Sequence, residues 1–154
     1  PLRTVVERLG GAVDGLEFFT STGGEVLPEG VDRDSVVVER SIPRGKALDD
    51  CLLAWELNGA PLPITHGGPL RLIVPGYYGC NQIKYVKRLA FTDAETTANI
   101  MRSGYRFRPI GESGAPTQPS RPEMTVKSWL PRPSGRHPGA ERTPPAHPHA
   151  FSAD

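Results

Sequence analysis

The segment Leu70-Arg71-Leu72-Ile73-Val74 constrains the fold more than any other, because it is a nearly continuous apolar run with one guanidinium inside it. Such a run predicts a strand covered on both faces, since a strand with one wet face alternates apolar and polar residues. A guanidinium among buried aliphatic side chains is costly unless an anion or a set of acceptors meets it. The run leads into a turn rich in Gly and Tyr, and then into a second strand-like stretch, 83–92. If the two strands form a hairpin centred between Tyr77 and Tyr78, Arg71 and Lys84 stand directly opposite on one face. Like charges facing each other across a strand pair repel, and an anion between them reverses the sign. A phosphate suits the pair, because Arg offers a planar fork and Lys a point charge, and His66 before Gly67-Gly68 adds a donor. The alternative is that Arg71 pairs with a carboxylate of the fold, such as Glu56, and that Lys84 is a solvated strand residue.

The rest of the pattern is that of an α+β fold, a mixed sheet with short helices. Residues 3–9 place Val5, Val6 and Leu9 at helical spacing, and Gly10-Gly11 stops the helix. Residues 16–20 and 36–42 are short runs rich in β-branched and aromatic residues, joined by a Gly- and Pro-bearing loop. Residues 43–48 suit a helical turn. Residues 51–57 alternate and run into Asn58-Gly59, a strong hairpin signal because both residues tolerate positive φ. Residues 93–103 are polar and moderately helical. Near residue 109 the composition changes: ten of the 17 prolines lie at or beyond Pro109, and 131–154 contains no Leu, Ile, Val or Met. A segment so poor in apolar groups cannot offset its ordering entropy, so a disordered Pro-rich tail is expected. The expected organisation is a partial domain at 1–110, a linker at 111–130 and a tail at 131–154.

Charge and composition exclude several classes of function. The formal net charge is +1, and Lys and Arg are mixed among Asp and Glu, without the clustered footprint that a nucleic-acid backbone demands. The longest apolar runs fall far short of the roughly 20 residues needed to cross a bilayer. Cys51 and Cys80 have no CxxC spacing and read as small core or strand residues. His137, His147 and His149 fall in the low-complexity tail, and no metal ligands are assigned.

A denser pattern runs through Ser41-Ile42-Pro43, Ala47-Leu48-Asp49, Leu52 to Gly59, Pro61-Leu62-Pro63, His66 to Arg71 and Val74-Pro75-Gly76. In order and spacing it resembles the signature stretch of the sulfite oxidase family, over residues 1–110. The resemblance implies a molybdopterin (molybdenum cofactor) domain in which His66, Arg71 and Lys84, with Gln82 and Ile83 beside the Lys, contact the cofactor. It also implies that Tyr105, in Arg102-Ser103-Gly104-Tyr105-Arg106, is the active-site tyrosine, which can hydrogen-bond the substrate oxyanion or a metal oxo group. The implied reaction is oxygen-atom transfer to sulfite or a similar small oxyanion, with electrons passed to a cytochrome c-type acceptor. A homodimer and, as for the family's bacterial members, a periplasmic location go with it.

There are departures from the family pattern. The acidic residue that the family often places after the early strand falls near Thr22-Gly23-Gly24, where no acid stands. The family's molybdenum-ligating cysteine lies upstream of the helix with which this chain opens, and neither Cys51 nor Cys80 matches it. The substrate-binding arginines upstream are absent too. Residues 124–130 resemble the approach to the family's immunoglobulin-like dimerisation domain, which does not follow. The expectation is therefore an internal piece of such an enzyme, with weak cofactor retention and no activity alone. The competing expectation is a non-catalytic module whose Pro-rich tail binds a partner.

Overall fold

The computed structural model describes residues 1–11, 13–32, 36–113, 115–120, 123–128 and 150–151. The chain divides into two units, Pro1–Glu123 and Met124–Asp154.

The first unit opens with helix α1 (Leu2–Arg8). Gly10, at φ +66°, turns the chain as its N–H reaches the Glu7 carbonyl. The helix is thus under two turns long, and Leu2 rather than Leu9 enters the core: Leu2 is 1% exposed and Leu9 80%. Strand β1 (Phe18–Gly23) is the centre of an antiparallel sheet, flanked by β2 (Glu39–Pro43) and β7 (Val86–Thr92). Phe19 stands opposite both Ile42 and Phe91, with the Phe19 and Phe91 rings 5.1 Å apart and tilted. The next position, Thr20, meets hydroxyls across both strand pairs, whereas the buried Ser21 Oγ has no partner among the described residues. Thr20 Oγ1 shares hydrogen bonds with Ser41 Oγ at 2.7 Å and Thr92 Oγ1 at 3.1 Å. The strand expected at 16–20 forms two to three residues later, and the one expected at 36–42 starts three residues late and ends one late; it begins where the Glu39 carboxylate receives the Thr22 hydroxyl, and Val36 is left exposed.

Helix α2 (Arg44–Asp49) follows β2 directly, as the sequence suggests. Strand β3 (Leu52–Ala54) pairs antiparallel with β6 (Arg71–Ile73), and β4 (Glu56–Leu57) pairs with β5 (Ala60–Pro61) across Asn58-Gly59. Both turn residues adopt positive φ, 53° and 78°, as that hairpin requires. A short helix α3 (Asn99–Arg102) is all that forms in 93–103.

Two expectations about β6 need correction. The strand is not covered on both faces: Leu72 and Val74 are buried, whereas Arg71 and Ile73 are half-buried. Nor do β6 and β7 form one hairpin, because their ladder partners are β3 and β1. The reason lies in Gln82. Its side-chain amide accepts from Val74 N–H at 2.7 Å and donates to Val74 C=O at 2.6 Å, so a side chain closes the intervening loop. That loop turns at Gly76 (φ +73°) and through the 3-10 turn Gly79–Asn81. The two segments still run side by side, joined by Leu72 N–H to Ile83 C=O and Val86 N–H to Leu70 C=O, each 2.9 Å.

Cys51 is a core residue, 1% exposed, as expected. Burial, with a smaller contribution from Asp50, pushes its thiol up to about 11. A folded-state pKa above the unfolded one favours the fold while the thiol is neutral. That stability is complete below roughly pH 8.5, the ordinary thiol value, and disappears as pH rises towards 11. The unfolding free energy should therefore fall on the order of 3 kcal/mol across this window. Urea melts at pH 8 and 11 check it: Cys51→Ala should flatten the decline, and an unchanged decline would assign it to other groups.

In the second unit, β8 (Lys127–Ser128) pairs antiparallel with β9 (Ala150–Phe151); the rest of the expected tail, 131–149 and 152–154, lies outside the described residues. Among the described residues no helix is long and apolar enough to cross a membrane.

Candidate functional site

The site is built on the turn after β5. Pro63 leads into a 3-10 turn, Ile64–His66, that Gly67 ends at φ +96°. Both glycines here are required by space. A Cβ on Gly67 would stand 2.6 Å from Lys84 Cγ, and one on Gly68 would run into the Leu62 carbonyl. The turn therefore lies directly on the stem of Lys84, with Tyr85 N–H donating to Gly67 C=O at 3.0 Å.

Two cations converge on this turn. Arg71 Nη1 donates to the His66 carbonyl at 2.8 Å, and Lys84 Nζ donates to the adjacent Thr65 carbonyl at 3.2 Å. The exposed His66 stands beside them. Among the described residues neither cation has a carboxylate partner, so the alternative pairing of Arg71 with Glu56 is not formed. Arg71 Nε is buried and has no acceptor. Two neighbouring positive charges, offset only by neutral carbonyls and leaving one donor unused, retain the demand for an anion inferred from the sequence.

Gln82 and Ile83 lie beneath this cluster. The Gln82 amide is taken up by Val74, and Ile83 is 1% exposed, its carbonyl receiving Leu72 N–H.

Beside the cationic turn opens a groove of about 680 Å³, lined among others by Gly24, Glu25, Ile64, Gly68, Tyr85 and Lys87. Gly24 approaches so closely that a Cβ there would meet the Tyr85 carbonyl at 2.7 Å. The Glu25 side chain folds back over Gly23, placing Oε2 2.6 Å from where a Cβ on Gly23 would be. The sequence shows no acid at Thr22-Gly23-Gly24, but a carboxylate from two residues onward occupies that space.

Tyr105 belongs to a different cluster. It is 53% exposed and held at φ +57° between Gly104, packed against the Ile100 carbonyl, and Arg106, whose Nε donates to the Met101 carbonyl at 2.8 Å. Its ring lies 5.7 Å from Arg40 Cζ. Arg40 is 2% exposed, and burial holds its guanidinium below the usual arginine range. Its Nε donates to Asn81 Oδ1 at 3.1 Å, which connects the Tyr105 cluster to the segment that carries Lys84. Burial also pushes the Cys80 thiol up, against the opposing charge of Arg40.

The structure thus brings His66, Arg71 and Lys84 onto one turn and sets Tyr105 apart from them. Sequence reasoning missed Glu25 and Arg40. The signal for Arg40 was present: it interrupts the β-branched run Val36-Val37-Val38 and Ser41-Ile42 much as Arg71 interrupts its own run. Glu25 carried no such signal, because its place over Gly23 is a tertiary feature of a loop.

Comparison with known proteins gives the family of the chain. The oxidoreductase molybdopterin binding domain model matches residues 1–100. Sulfite oxidase of Gallus gallus is 36% identical over 133 residues, covering 79% of this chain and 29% of the chicken protein. The mitochondrial sulfite oxidase of Homo sapiens is 34% identical over 73% of this chain and 22% of its own length. An inducible NADH nitrate reductase of Glycine max is 33% identical over 71% of this chain and 12% of its own. Among solved structures, the sulfane dehydrogenase SoxCD from Paracoccus pantotrophus superposes with a TM-score of 0.59 at 28% identity, covering 75% of this chain and 28% of that one. The chain spans between about a fifth and three tenths of the length of the sulfite oxidases named here. It belongs to the oxidoreductase molybdopterin binding domain family, and its cofactor is molybdopterin.

Proposed function

We propose that this domain serves the oxidation of sulfite to sulfate, with electrons passing to a c-type cytochrome. The carrying observation is the pair of cations on the 65–66 turn, with Arg71 Nε left without an acceptor. The residues present fit the cofactor. An anionic phosphate is met by Arg71 and Lys84, with His66 a further donor, while the adjoining groove is of a size suited to a small-molecule ring system. At one wall of that groove the Glu25 carboxylate offers acceptors for the N–H edge of a pterin.

When bound, the molybdenum cofactor supplies oxygen-atom transfer and takes up the electrons. The chain's own residues orient it and contribute positive potential at the face where an oxyanion arrives. Tyr105 is the residue we assign to the substrate, its phenol donating a hydrogen bond to a sulfite oxygen.

Relatives include nitrate reductases as well as sulfite oxidases, so the test compares the two substrates on one preparation. The chain is produced in a host that makes the molybdenum cofactor, and its molybdenum and pterin are quantified. It is then assayed for sulfite-dependent cytochrome c reduction and for nitrate-dependent oxidation of a reduced viologen. We expect pterin well below one per chain and any turnover to be with sulfite. Turnover with nitrate contradicts the substrate; complete absence of pterin favours the non-catalytic module.

A further inference from the structure

We propose that Arg40 is the positioning residue for Tyr105, a buried cation that fixes the ring so that its phenol faces the oxyanion in one orientation. The inference rests on the assignment of Tyr105 to the substrate side for its consequence, though its test does not.

Arg40 lies on β2 with 2% of its surface exposed. An arginine enclosed to this degree gains from a carboxylate partner, since a desolvated guanidinium is otherwise destabilising. Among the described residues Arg40 has none. Its acceptors are neutral: Asn81 Oδ1 for Nε, at 3.1 Å, and the Ile100 carbonyl for Nη1, at 2.8 Å. The third nitrogen, Nη2, is buried and has no hydrogen-bond acceptor among the described residues. Arg106 disfavours the Arg40 charge, and Glu95, tied to Arg106 at 3.3 Å, favours it without forming an ion pair with Arg40. A leucine or methionine would fill such a place in a core at lower electrostatic cost, so packing alone does not account for a guanidinium here.

The unusual feature beside Arg40 is Tyr105. A tyrosine at φ +57° sits in a region that costs an L residue about 1 kcal/mol or more, and it stays there only when its surroundings hold it. Arg40 has the means, because the electron-rich face of a phenol ring 5.7 Å from Cζ attracts a desolvated cation. The same guanidinium is anchored to Asn81 and to the carbonyl of Ile100 in α3, so the ring is referenced to both segments. Orientation of a half-exposed phenol is thereby set from below by a charge that does not itself reach solvent.

The 154-residue chain is labelled at its tyrosine rings, and the Tyr105 signal is identified by Tyr105→Phe; Tyr77, Tyr78 and Tyr85 serve as internal references. In Arg40→Gln the Tyr105 ring signals should shift alone towards those of an unstructured tyrosine, and Arg40→Lys should restore part of the shift. Unchanged Tyr105 signals overturn the proposal, as does a common shift of all four tyrosines, which marks a merely structural role. If Arg40→Gln does not fold, Tyr105→Leu reads the contact from the other side. Loss of a ring-induced shift at the Arg40 guanidinium supports the proposal, and no change there overturns it. Neither readout involves turnover. A failure of Tyr105 in catalysis would thus leave the positioning result standing, and the reverse also holds.

Discussion

Replacing Arg71 by Ala is expected to weaken molybdopterin binding to this chain about 100-fold. Arg71 is the only member of the basic cluster that combines a planar fork, an anchor to the turn and a buried nitrogen without an acceptor. Hydrogen bonds to charged groups contribute roughly 1.5–3 kcal/mol, and about 2.7 kcal/mol corresponds to a factor of 100 in affinity. Arg71→Lys keeps the charge but loses the fork, so it should recover only part of this, about tenfold. The side chain is half-buried at the edge of β6 and makes no ion pair among the described residues, so stability should fall by no more than about 1 kcal/mol. Pterin fluorescence titrations of the three proteins, with urea melts alongside, separate the two effects. Equal affinities for the unsubstituted chain and Arg71→Ala would remove the clamp from the account.

Gly68→Ala is expected to cost about 3 kcal/mol of stability and to abolish cofactor binding together with it. The added methyl would be driven into the Leu62 carbonyl and would lie 3.2 Å from the Pro63 carbonyl carbon, so backbone rather than a flexible side chain has to yield. Gly68 N–H also donates to the Pro63 carbonyl at 3.0 Å, a bond that fixes the 63–68 loop over Lys84. Gly67→Ala provides the contrast. Its methyl would meet Lys84 at Cγ, Cβ and, at 3.2 Å, Cα, so the root of that side chain has to shift rather than a carbonyl, and φ +96° adds strain. It should cost less stability while still displacing the Lys84 ammonium. Urea denaturation orders the two variants, and a Gly68→Ala protein as stable as the unsubstituted chain would show that the loop is free to shift.

Much of this was legible in the residues because it is local. Asn58-Gly59 specifies its own turn through two positive φ angles, and Arg71 within an aliphatic run advertises an unmet charge. The proximity of Arg71 to Lys84 was also readable, though for an incomplete reason. The segments do lie together, yet they are closed by the Gln82 amide gripping Val74 and not by a hairpin ladder. Side-chain mimicry of a strand partner leaves no trace in periodicity. The double coverage expected for β6 failed as well: Leu72 and Val74 face the core, whereas Arg71 and Ile73, on the other face, stay partly open. The same limit hid Glu25 and the partner of Arg40, although Arg40 itself stands out in its run. Arg40 gains meaning only through Tyr105, 65 positions away in the chain, and Glu25 only by folding back over Gly23.

The central claim is that the turn bearing His66, joined by Arg71 and Lys84, holds the anionic end of molybdopterin. Its most direct test is equilibrium titration of the chain with molybdopterin, followed by pterin fluorescence, with inorganic phosphate as competitor at two ionic strengths. The account predicts weak, saturable binding that phosphate displaces, that salt weakens, and that Arg71→Ala and Lys84→Ala each reduce severely. Binding that is indifferent to phosphate, to salt and to both substitutions would contradict it.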